Sequence, residues 1–439
     1  MTNLFIANVR ADYPDSVRTK ADLIDGTAVG SDTTSRFLWH ASAGDVVVIP
    51  EKVDQRYVAY VEEMLGLPQK KLHIIEYEGL LTDAALLRPS MIESLKEILD
   101  PQDAIIVRPF VQTRGTVELA IALNAVEVPG LPFAQENGVD LLNSKANFRK
   151  LAAGVGLPIA MGYVAKSEQE LFIALSRLQN LGKPLIAKHD HAGGGHGNII
   201  LSNREVSQSR LPGARRSIDI DRPAADLAGM LWEELTDASY STVTLEVYEE
   251  AVSRFYLEYD LGGRAPLLLS TGSIRYSGGE TSAPPQWTGL DIPFDLDATD
   301  GARAVSQGQL IVSAVHALGY RGMLNVDGIT TPDGKPIFQE INARWGGGLV
   351  YDVIARRLLG DSYARTHILR SLLDTPKADF DELRTRLKAA GVHYSHQIRS
   401  GALVLASRSD LGDGAEILLI APSGHLAKLE STVRKALSV

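Results

Sequence analysis

The sequence predicts a fold of mixed class, α/β in its first third and α+β after that, with a small α/β unit at the end. Three observations predict it. Strand-like runs alternate with helical patterns up to about residue 135, strands joined mainly by hairpins follow, and a last pattern of strands and a helix begins near residue 390. A chain of 439 residues is too long for one ordinary core. We therefore expect three packed units, at 1–135, 136–370 and 371–439.

The first unit shows the alternation that is typical of a parallel sheet covered by helices. Its opening apolar run, 4–9, has no basic flank and lacks a long apolar core, so we interpret it as a strand and do not expect secretion. The remaining strand and helix patterns are Asp45–Ile49, Tyr57–Leu65, Leu72–Ile75, Ser90–Leu99 and Ala104–Val107. The segment Val128–Pro132, with its Pro and Gly, predicts a linker into the second unit.

The composition indicates a globular protein and argues against several classes. With 45% hydrophobic and 22% charged residues, disorder is not expected, and no run of about 18 apolar residues is present to span a membrane. A formal net charge of -10 argues against broad nucleic-acid binding. The absence of cysteine removes disulfides, thiolate nucleophiles and cysteine metal sites, and it is consistent with the cytoplasm.

The second unit contains one well-delimited helix and a series of strands. The helix covers 145–153, with Asn143 or Ser144 as its cap, and Gly154 and Gly156 end it. Later patterns predict a helix at 168–178 and strands at 160–164, 184–189, 198–201, 243–248, 255–261, 267–273, 324–330 and 337–342. The last unit shows strands at 401–407 and 416–421 and a helix at 426–437.

An acidic hairpin provides the sharpest argument for a functional site. The Asp-Gly pair at 333–334 lies between two alternating runs, which is a strong hairpin signal. A loop centred on that pair places Asp327 opposite Glu340 and Asn325 opposite Asn342. Because side chains two apart on a strand share a face, carboxylates and amide oxygens meet there, and such hard oxygen ligands suit Mg2+. The alternative is a solvated polar face that merely keeps the strands soluble.

A lysine and a glycine-rich loop follow the strand at 184–189. Lys188 ends that strand, and the loop contains Gly193, Gly194, Gly195, His196 and Gly197. Glycines let backbone N–H groups close around phosphate oxygens, and a preceding lysine adds charge to the same anion. This predicts a phosphate cradle between two strands. The alternatives are a flexible hairpin tip and, because His189, His191 and His196 lie close in sequence, a metal site.

In their order and spacing these motifs resemble those of ATP-grasp ligases over residues 140 to 350. They are Ser144-Lys145 at a helix start, Lys188 before the glycine loop, the strand end Glu246-Val247-Tyr248-Glu249, Asp327, and the run Glu340–Arg344. The resemblance implies an ATP-grasp fold with an N-terminal pre-ATP-grasp α/β domain, two α+β subdomains that clamp ATP, and a small C-terminal α/β unit. It also implies an ADP-forming ligase that activates a carboxylic acid as an acyl phosphate and joins it to an amine.

The resemblance assigns roles to particular residues. Lys145 and Lys188 would contact the ATP phosphates together with the glycine loop 193–197, and the backbone of Glu246–Glu249 would bind adenine. Arg344 would lie near the transferring phosphoryl group, where a planar bidentate cation suits the developing charge. The ligands implied for two Mg2+ ions are Asp327, Glu340 and Asn342.

Two positions depart from the family pattern. Ser253 stands where many members have an acidic residue for the ribose hydroxyls, so a glutamate at 249–250 would have to substitute. Asn325 stands where an arginine often precedes the first metal ligand. The role of stabilising the intermediate then passes to Arg275 or Arg344.

The opening run 4–10, the segment Phe338–Gly348 and the C-terminal unit also resemble peptide ligases of antibiotic biosynthesis. That narrower resemblance implies a small amino-acid-derived carboxylic acid as donor and a peptide N-terminus as acceptor. Arg275 would bind the donor carboxylate, and the segments 273–279 and 283–288 would line an acceptor channel, with ordinary long loops as the alternative. Rival functions are a phosphotransferase and an ATP-binding module without turnover. A homodimer is one possible assembly.

Overall fold

The computed structural model describes residues 1–9, 33–126, 130–192, 195, 197–203, 211–214, 216–237, 240–276, 287–373, 375, 378–406 and 415–437. Within these residues three sheets of four, five and eight strands organise the fold. The chain passes through them in that order, and the C-terminal strands belong to the eight-stranded sheet. This mixed α/β and α+β architecture confirms the predicted fold class.

The N-terminal unit is a parallel four-stranded sheet, as its alternating pattern predicts. Its elements are β1 (Thr2–Ile6), a 3-10 helix (Thr33–His40), β2 (Val46–Ile49), α1 (Gln55–Leu65), β3 (His73–Glu76), α2 (Asp83–Leu86), α3 (Pro89–Ile98), β4 (Ile105–Pro109) and α4 (Arg114–Ala122). The strand order is β3-β2-β1-β4. Central strand β2 consists of four buried β-branched residues, which suits a sheet covered on both faces.

Three helices lead to the second sheet: α5 (Leu131–Gln135), α6 (Gly138–Asn143) and α7 (Lys145–Gly154). The hydroxyl of Ser144 caps α7 by accepting from the Asn147 amide at 3.1 Å. Asn143, the other candidate cap, instead accepts from the backbone amide of Ala343 at 2.7 Å. That bond ties the start of α7 to a distant strand end.

The five-stranded sheet has its own hydrophobic core. Its elements are β5 (Gly162–Ala165), α8 (Glu168–Leu178), a 3-10 turn (Gln179–Leu181), β6 (Leu185–His189), β7 (Asn198–Ser202), β8 (Arg216–Asp219), α9 (Ala224–Leu235) and β9 (Val243–Val247). The strand order is β5-β9-β6-β7-β8. As predicted, β6 and β7 form an antiparallel pair on either side of the glycine loop.

The eight-stranded sheet has the order β14-β13-β10-β11-β12-β15-β17-β16. These strands and the accompanying helices are β10 (Ser253–Asp260), β11 (Leu267–Tyr276), β12 (Trp287–Ile292), α10 (Ala298–Ala317), β13 (Met323–Thr330), β14 (Pro336–Asn342), α11 (Gly347–Leu359), a 3-10 turn (Tyr363–Arg365), β15 (His367–Leu372), α12 (Phe380–Ala389), β16 (Gly401–Ala406), β17 (Glu416–Pro422) and α13 (Leu426–Leu437). Strand β15 crosses the limit that we predict at residue 370, and β17 pairs with it. The domain limits therefore stay a prediction.

The N-terminal unit packs on the C-terminal strands of this sheet. Trp39 Nε1 donates to the Tyr57 hydroxyl at 2.8 Å, and that hydroxyl donates to the Leu405 carbonyl. Arg36 forms an ion pair with Glu416 at 3.3 Å. The first and last parts of the chain thus share one core. Among the described residues, no helix combines the length and the apolar character needed to cross a bilayer.

Candidate active site

The acidic hairpin forms with the predicted register where its polar side chains lie. Asp327 pairs with Glu340, and Asn325 pairs with Asn342. Closer to the turn the prediction is wrong by one residue, because a bulge shifts the register so that Gly328 pairs with Phe338. The physical reason is the Phe338 ring, which packs edge-on against Phe255 with centroids 5.8 Å apart. The bulge directs this ring into the core while Glu340 stays on the opposite face.

The carboxyl groups of Asp327 and Glu340 share that polar face with Asn342, whose Nδ2 lies 3.1 Å from Asp327 Oδ2. Burial, and after it the like charge of Glu340, raise the pKa of Asp327 well above its usual value. Burial acts on Glu340 in the same sense, but Lys145 and Lys188 outweigh it and lower the pKa of Glu340. The pair therefore holds one carboxyl group that favours the ionised form, on Glu340, and one that favours the protonated form, on Asp327.

Lys145 connects helix α7 to this pair. Its ammonium lies 3.2 Å from Glu340 Oε2 and donates to the carbonyl of Ala192, in the stem of the glycine loop, at 2.5 Å. The side chain is only 8% exposed. The Asp190 carboxylate fixes the same stem, since it accepts from the Ser144 hydroxyl at 2.9 Å. A predicted phosphate ligand thus lies between the acidic hairpin and the glycine loop.

Lys188, the second predicted phosphate ligand, ends β6 and forms an ion pair with Glu246 at 2.6 Å. On its other oxygen the Glu246 carboxylate accepts from Arg149 at 2.7 Å. All three side chains are less than 10% exposed. Two cations share one carboxylate, so this buried cluster keeps one unneutralised positive charge. Despite burial, Lys188 and Arg149 lower the pKa of Glu246.

The segment predicted to bind adenine, Glu246–Glu249, begins at the carboxylate of this cluster. The amides of Val247 and Tyr248 already donate to the carbonyls of Met161 and Pro184, each at 2.8 Å. Any adenine contact of this segment is therefore left to its carbonyl groups and to the amide of Glu249. The role stays a prediction.

Two residues of the glycine loop, Gly195 and Gly197, lie within the described residues. Gly195 has φ +79°, and a Cβ on Gly197 would lie 2.4 Å from that of Ala192, so both positions require glycine. The amides of His189 and Asn198 donate to Gly197 and Gly195, respectively. Gly193, Gly194 and His196 lie outside the described residues. Nowhere in the described ranges do three His, Cys, Asp or Glu side chains form a metal site of their own.

The two predicted catalytic arginines occupy opposite faces of the eight-stranded sheet. Arg344 follows the acidic strand and lies 5.9 Å from the Phe110 ring centroid. Its charge acts against the rise that burial and Glu340 cause in the pKa of Asp327, and it adds to the effect of Lys145 and Lys188 on the pKa of Glu340. Arg275 alternates with Tyr276 on β11 and projects from the other face. There its guanidinium contacts Asp291 and Glu430 at 3.7 and 3.6 Å. This placement argues against the predicted contact with a donor carboxylate, and we do not retain Arg275 in the site.

The proposed acceptor channel is only partly visible, because 277–286 lies outside the described residues. Of the predicted segments, 273–276 and 287–288 belong to strands β11 and β12. Their role in an acceptor channel stays a prediction.

Sequence reasoning missed three polar side chains that border the site. Arg149 stands four residues after Lys145, on the same helix face, and that spacing was the available signal. Arg254 and Glu258 alternate with buried rings on β10, next to the acidic hairpin. Glu258 accepts from the amide of Gly346 at 2.7 Å, and burial raises the pKa of its carboxyl to about 7.

Comparison with known proteins supports the architecture. The family model of the pre-ATP-grasp domain matches residues 34–125. No curated protein matches the chain by sequence. Among solved structures, the ADP complex of N5-carboxyaminoimidazole ribonucleotide synthetase aligns with a TM-score of 0.58 at 12% identity, over 99% of this chain and 96% of that one.

Two other structures show the same likeness. Biotin carboxylase from Campylobacter jejuni has a TM-score of 0.54 at 13% identity, over 95% of this chain and 87% of that one. L-amino acid ligase from Bacillus licheniformis has a TM-score of 0.53 at 13% identity, over 99% of this chain and 96% of that one. The four-, five- and eight-stranded sheets, the hairpin that faces a glycine loop, and these matches together identify a pre-ATP-grasp domain followed by the ATP-grasp fold.

Proposed function

We propose that the protein is an ATP-dependent, ADP-forming ligase that activates a small carboxylic acid and joins it to an amine. The observation that carries this proposal is the ion pair between Lys145 and Glu340, 3.2 Å between Nζ and Oε2. It joins the lysine at the start of α7, beside the glycine loop, to the carboxylate pair of the other sheet. A nucleoside triphosphate bound with a divalent cation would satisfy both, because its phosphates pair with the lysine and the cation pairs with the carboxylates.

The donor set on the acidic hairpin fits Mg2+. Asp327, Glu340 and Asn342 carry carboxylate and amide oxygens and lie on one face. Burial and the charge of Glu340 raise the pKa of the Asp327 carboxyl, and a bound cation would favour its ionised form. With phosphate oxygens these three side chains would complete the coordination of two ions. Bound Mg2+ would neutralise charge on the β- and γ-phosphate oxygens.

The chain's own residues suit an in-line phosphoryl transfer. A carboxylate oxygen of the donor attacks the γ-phosphorus, the bond from that phosphorus to the bridging oxygen breaks, and ADP leaves. Lys145 and Lys188 stabilise the charge on the phosphate oxygens, and Arg344 stabilises the acyl phosphate beyond the metal residues. The amine then attacks the acyl carbon, phosphate leaves, and the nitrogen loses a proton. The glycine loop excludes the water that would hydrolyse the intermediate.

Two lines support a ligase over its rivals. The chain aligns over 99% of its length with an L-amino acid ligase, and its arginine at 344 lies beyond the metal residues, where an acyl phosphate would form. A phosphotransferase would release ADP without phosphate. A regulatory ATP-binding module has little need for Asp327, Glu340 and Asn342 together.

We further propose that the donor is amino-acid-derived and that the acceptor is the α-amino group of a peptide. The support is the resemblance of the opening run, of Phe338–Gly348 and of the C-terminal strands to the peptide ligase of the pheganomycin pathway. Activation of the acid precedes arrival of the peptide, because an acyl phosphate needs only donor and ATP.

A substrate-panel assay tests the reaction class. Purified chain is incubated with ATP, Mg2+ and single carboxylic acids in hydroxylamine, and hydroxamate and phosphate release are measured. An activated acid should give a hydroxamate without any peptide, and phosphorus NMR should show ADP and phosphate. The appearance of AMP and pyrophosphate would move the protein to an adenylating class, and ADP without phosphate would support the phosphotransferase.

A second experiment tests the acceptor. With the active acid and a free peptide, mass spectrometry should show one new amide at the peptide N-terminus. The matched control is the same peptide N-acetylated, which should be inert. If the acetylated peptide is consumed equally, or if only free amino acids react, the peptide proposal fails and the ligase proposal survives.

A further inference from the structure

Among the described residues, Arg254 on β10 is a half-buried cation that forms no ion pair with a carboxylate, although the protein carries an excess of acidic residues. Its guanidinium lies 5.3 Å from the ring centroid of Tyr276. It also lies near Tyr248, since burial raises the pKa of that hydroxyl and the charge of Arg254 acts against the rise. Taking a cation partly out of water is costly when no anion lies beside it, so Arg254, which stands beside two tyrosines, is suited to receive an anion from outside the chain.

The two tyrosines near this cation belong to different parts of the fold. Tyr248 is part of the segment predicted to bind adenine, and its hydroxyl donates to the carbonyl of Pro212 at 2.9 Å. The next residue, Gly213, accepts from the Asn198 side chain at 2.8 Å, which links this contact to the glycine loop. Tyr276 lies on β11. Burial raises the pKa of its hydroxyl, Arg254 acts against that rise, and Asp327 and Glu340 add to it, so the ring lies near the predicted metal ligands.

The register of the sheet places Arg254 relative to the metal residues. Tyr256 pairs with Asp327, and Asp327 pairs with Glu340, so these side chains share one face and one row. Arg254 is two residues earlier on β10, on the same face, and therefore about 7 Å towards the hinge segment. The carboxylates would hold the β- and γ-phosphates, and the hinge would hold adenine. The ribose and the α-phosphate of a bound nucleotide would lie between the carboxylates and the hinge.

We propose that Arg254 binds the α-phosphate of the nucleotide and so determines the preference of this site for phosphorylated over unphosphorylated adenosine. The proposal rests on the nucleotide site proposed above. The proposal also explains why Ser253 can replace the acidic residue of the family pattern. Where the family pattern has an acidic residue near the ribose, this chain has a neutral residue followed by a cation, and the recognition moves from the ribose hydroxyls to the phosphate beside them.

The test compares three ligands that differ only in their phosphates. ADP, AMP and adenosine are titrated calorimetrically into the full-length protein with Mg2+, since no donor acid is needed. The parent should bind AMP more tightly than adenosine. In Arg254→Gln the affinity for AMP should fall by about tenfold or more, the effect of one charge-assisted hydrogen bond, and the affinity for adenosine should not change. Arg254→Lys should lose less, because it keeps the charge.

Arg177→Gln is the matched control. Arg177 also lies over a tyrosine ring, 5.7 Å from the centroid of Tyr163, but it is exposed on α8. It should leave all three affinities unchanged.

Three outcomes would overturn the inference. If the parent binds ADP but does not distinguish AMP from adenosine, or if Arg254→Gln leaves that ratio unchanged, Arg254 does not contact the α-phosphate. If Arg254→Gln weakens AMP and adenosine equally, the residue only shapes the hinge. If the parent does not bind ADP at all, the proposed function fails as well, so the two failures are distinguishable.

Discussion

At the scale of single residues, the two cations that share the Glu246 carboxylate, Lys188 and Arg149, have different roles. Arg149 also donates to the carbonyl of Ala160 at 3.1 Å, so it joins α7 and β9 to the chain that enters β5. Lys188 forms one ion pair and retains two further N–H donors for a ligand. We therefore attribute positioning to Arg149 and phosphate binding to Lys188.

The first prediction follows from that division. Lys188→Ala should reduce turnover by about 100-fold or more, the usual effect of removing a donor that stabilises developing charge. Its fold should remain normal, because Arg149 still neutralises Glu246 at 2.7 Å. Phosphate release and ADP titration measure the effect, and circular dichroism checks the fold. Parent-like ATP binding and turnover in Lys188→Ala would show that the phosphate cradle is misplaced.

The second prediction concerns the metal. Glu340→Gln keeps the shape of the side chain but removes one of two opposed carboxylates, so the Mg2+ concentration for half-maximal turnover should rise by about tenfold or more. A matched control is Gln339→Glu, which adds a carboxylate at an exposed neighbouring position and should leave the Mg2+ requirement unchanged. An ATP complex with Mg2+ held away from Asp327 and Glu340 would contradict the assignment.

At the scale of elements, the turn that follows Arg344 depends on two close approaches. Gly346 donates its amide to Glu258, and a Cβ on Gly346 would lie 2.1 Å from Glu258 Oε2. A Cβ on Gly348 would lie 2.0 Å from the Tyr256 hydroxyl. The start of α11 is therefore pressed against β10, and this contact fixes the backbone that carries Arg344.

The third prediction uses this crowding. Gly346→Ala should lower the free energy of unfolding by about 1–3 kcal/mol, as overpacking of a core does, and should reduce turnover because the Arg344 backbone shifts. Gly347→Ala is the control, since its Cβ would meet only Leu290 Cδ1, at an ordinary 3.6 Å. The melting temperatures of the two variants, compared with that of the parent, measure the loss of stability. Equal stability of the two would show that the turn adapts without strain.

The hairpin also shows what the sequence could predict and what it could not. The opposition of Asp327 to Glu340 is local: an Asp-Gly turn and a two-residue period determine it. The bulge at Gln339 depends on the Phe255 ring, which reaches Phe338 only in the folded sheet. The face of β11 on which Arg275 lies could not be predicted for the same reason, because the pairing of β11 with β10 and β12 decides it. Local patterns therefore predicted the register of the polar row, and tertiary contacts decided the rest.

At the scale of the whole molecule, the first and last parts of the chain stabilise one another. Strand β15 pairs along its length with β17, and the N-terminal unit contacts Leu405 and Glu416. Trp345, directly after Arg344, stacks on Phe37 with centroids 5.1 Å apart. The N-terminal unit thereby supports the loop that carries the site arginine.

The fourth prediction tests the limit that we place at residue 370. A chain ending at residue 373 should be largely insoluble, because β15 would become an exposed edge and the N-terminal unit would lose its contacts with β16 and β17. The soluble fraction and the size-exclusion profile, compared with the full chain, measure this. A soluble, monodisperse 1–373 chain would support an independent C-terminal domain instead.

The entry and exit of the five-stranded sheet lie side by side. Residues 162–247 form one inserted body, and its first strand pairs with its last, with Gly162 opposite Glu246. Two chain segments, 155–161 and 248–252, connect these residues covalently to the rest of the chain. The amide of Val247 links the two segments by donating to the carbonyl of Met161 at 2.8 Å. Because these two connections lie side by side, the five-stranded sheet is joined covalently to the rest of the chain at one edge. The ion pair between Lys145 and Glu340 lies outside this sheet, and Lys145 also donates to the carbonyl of Ala192 that follows β6. One lysine at the start of α7 therefore connects both halves of the proposed nucleotide site.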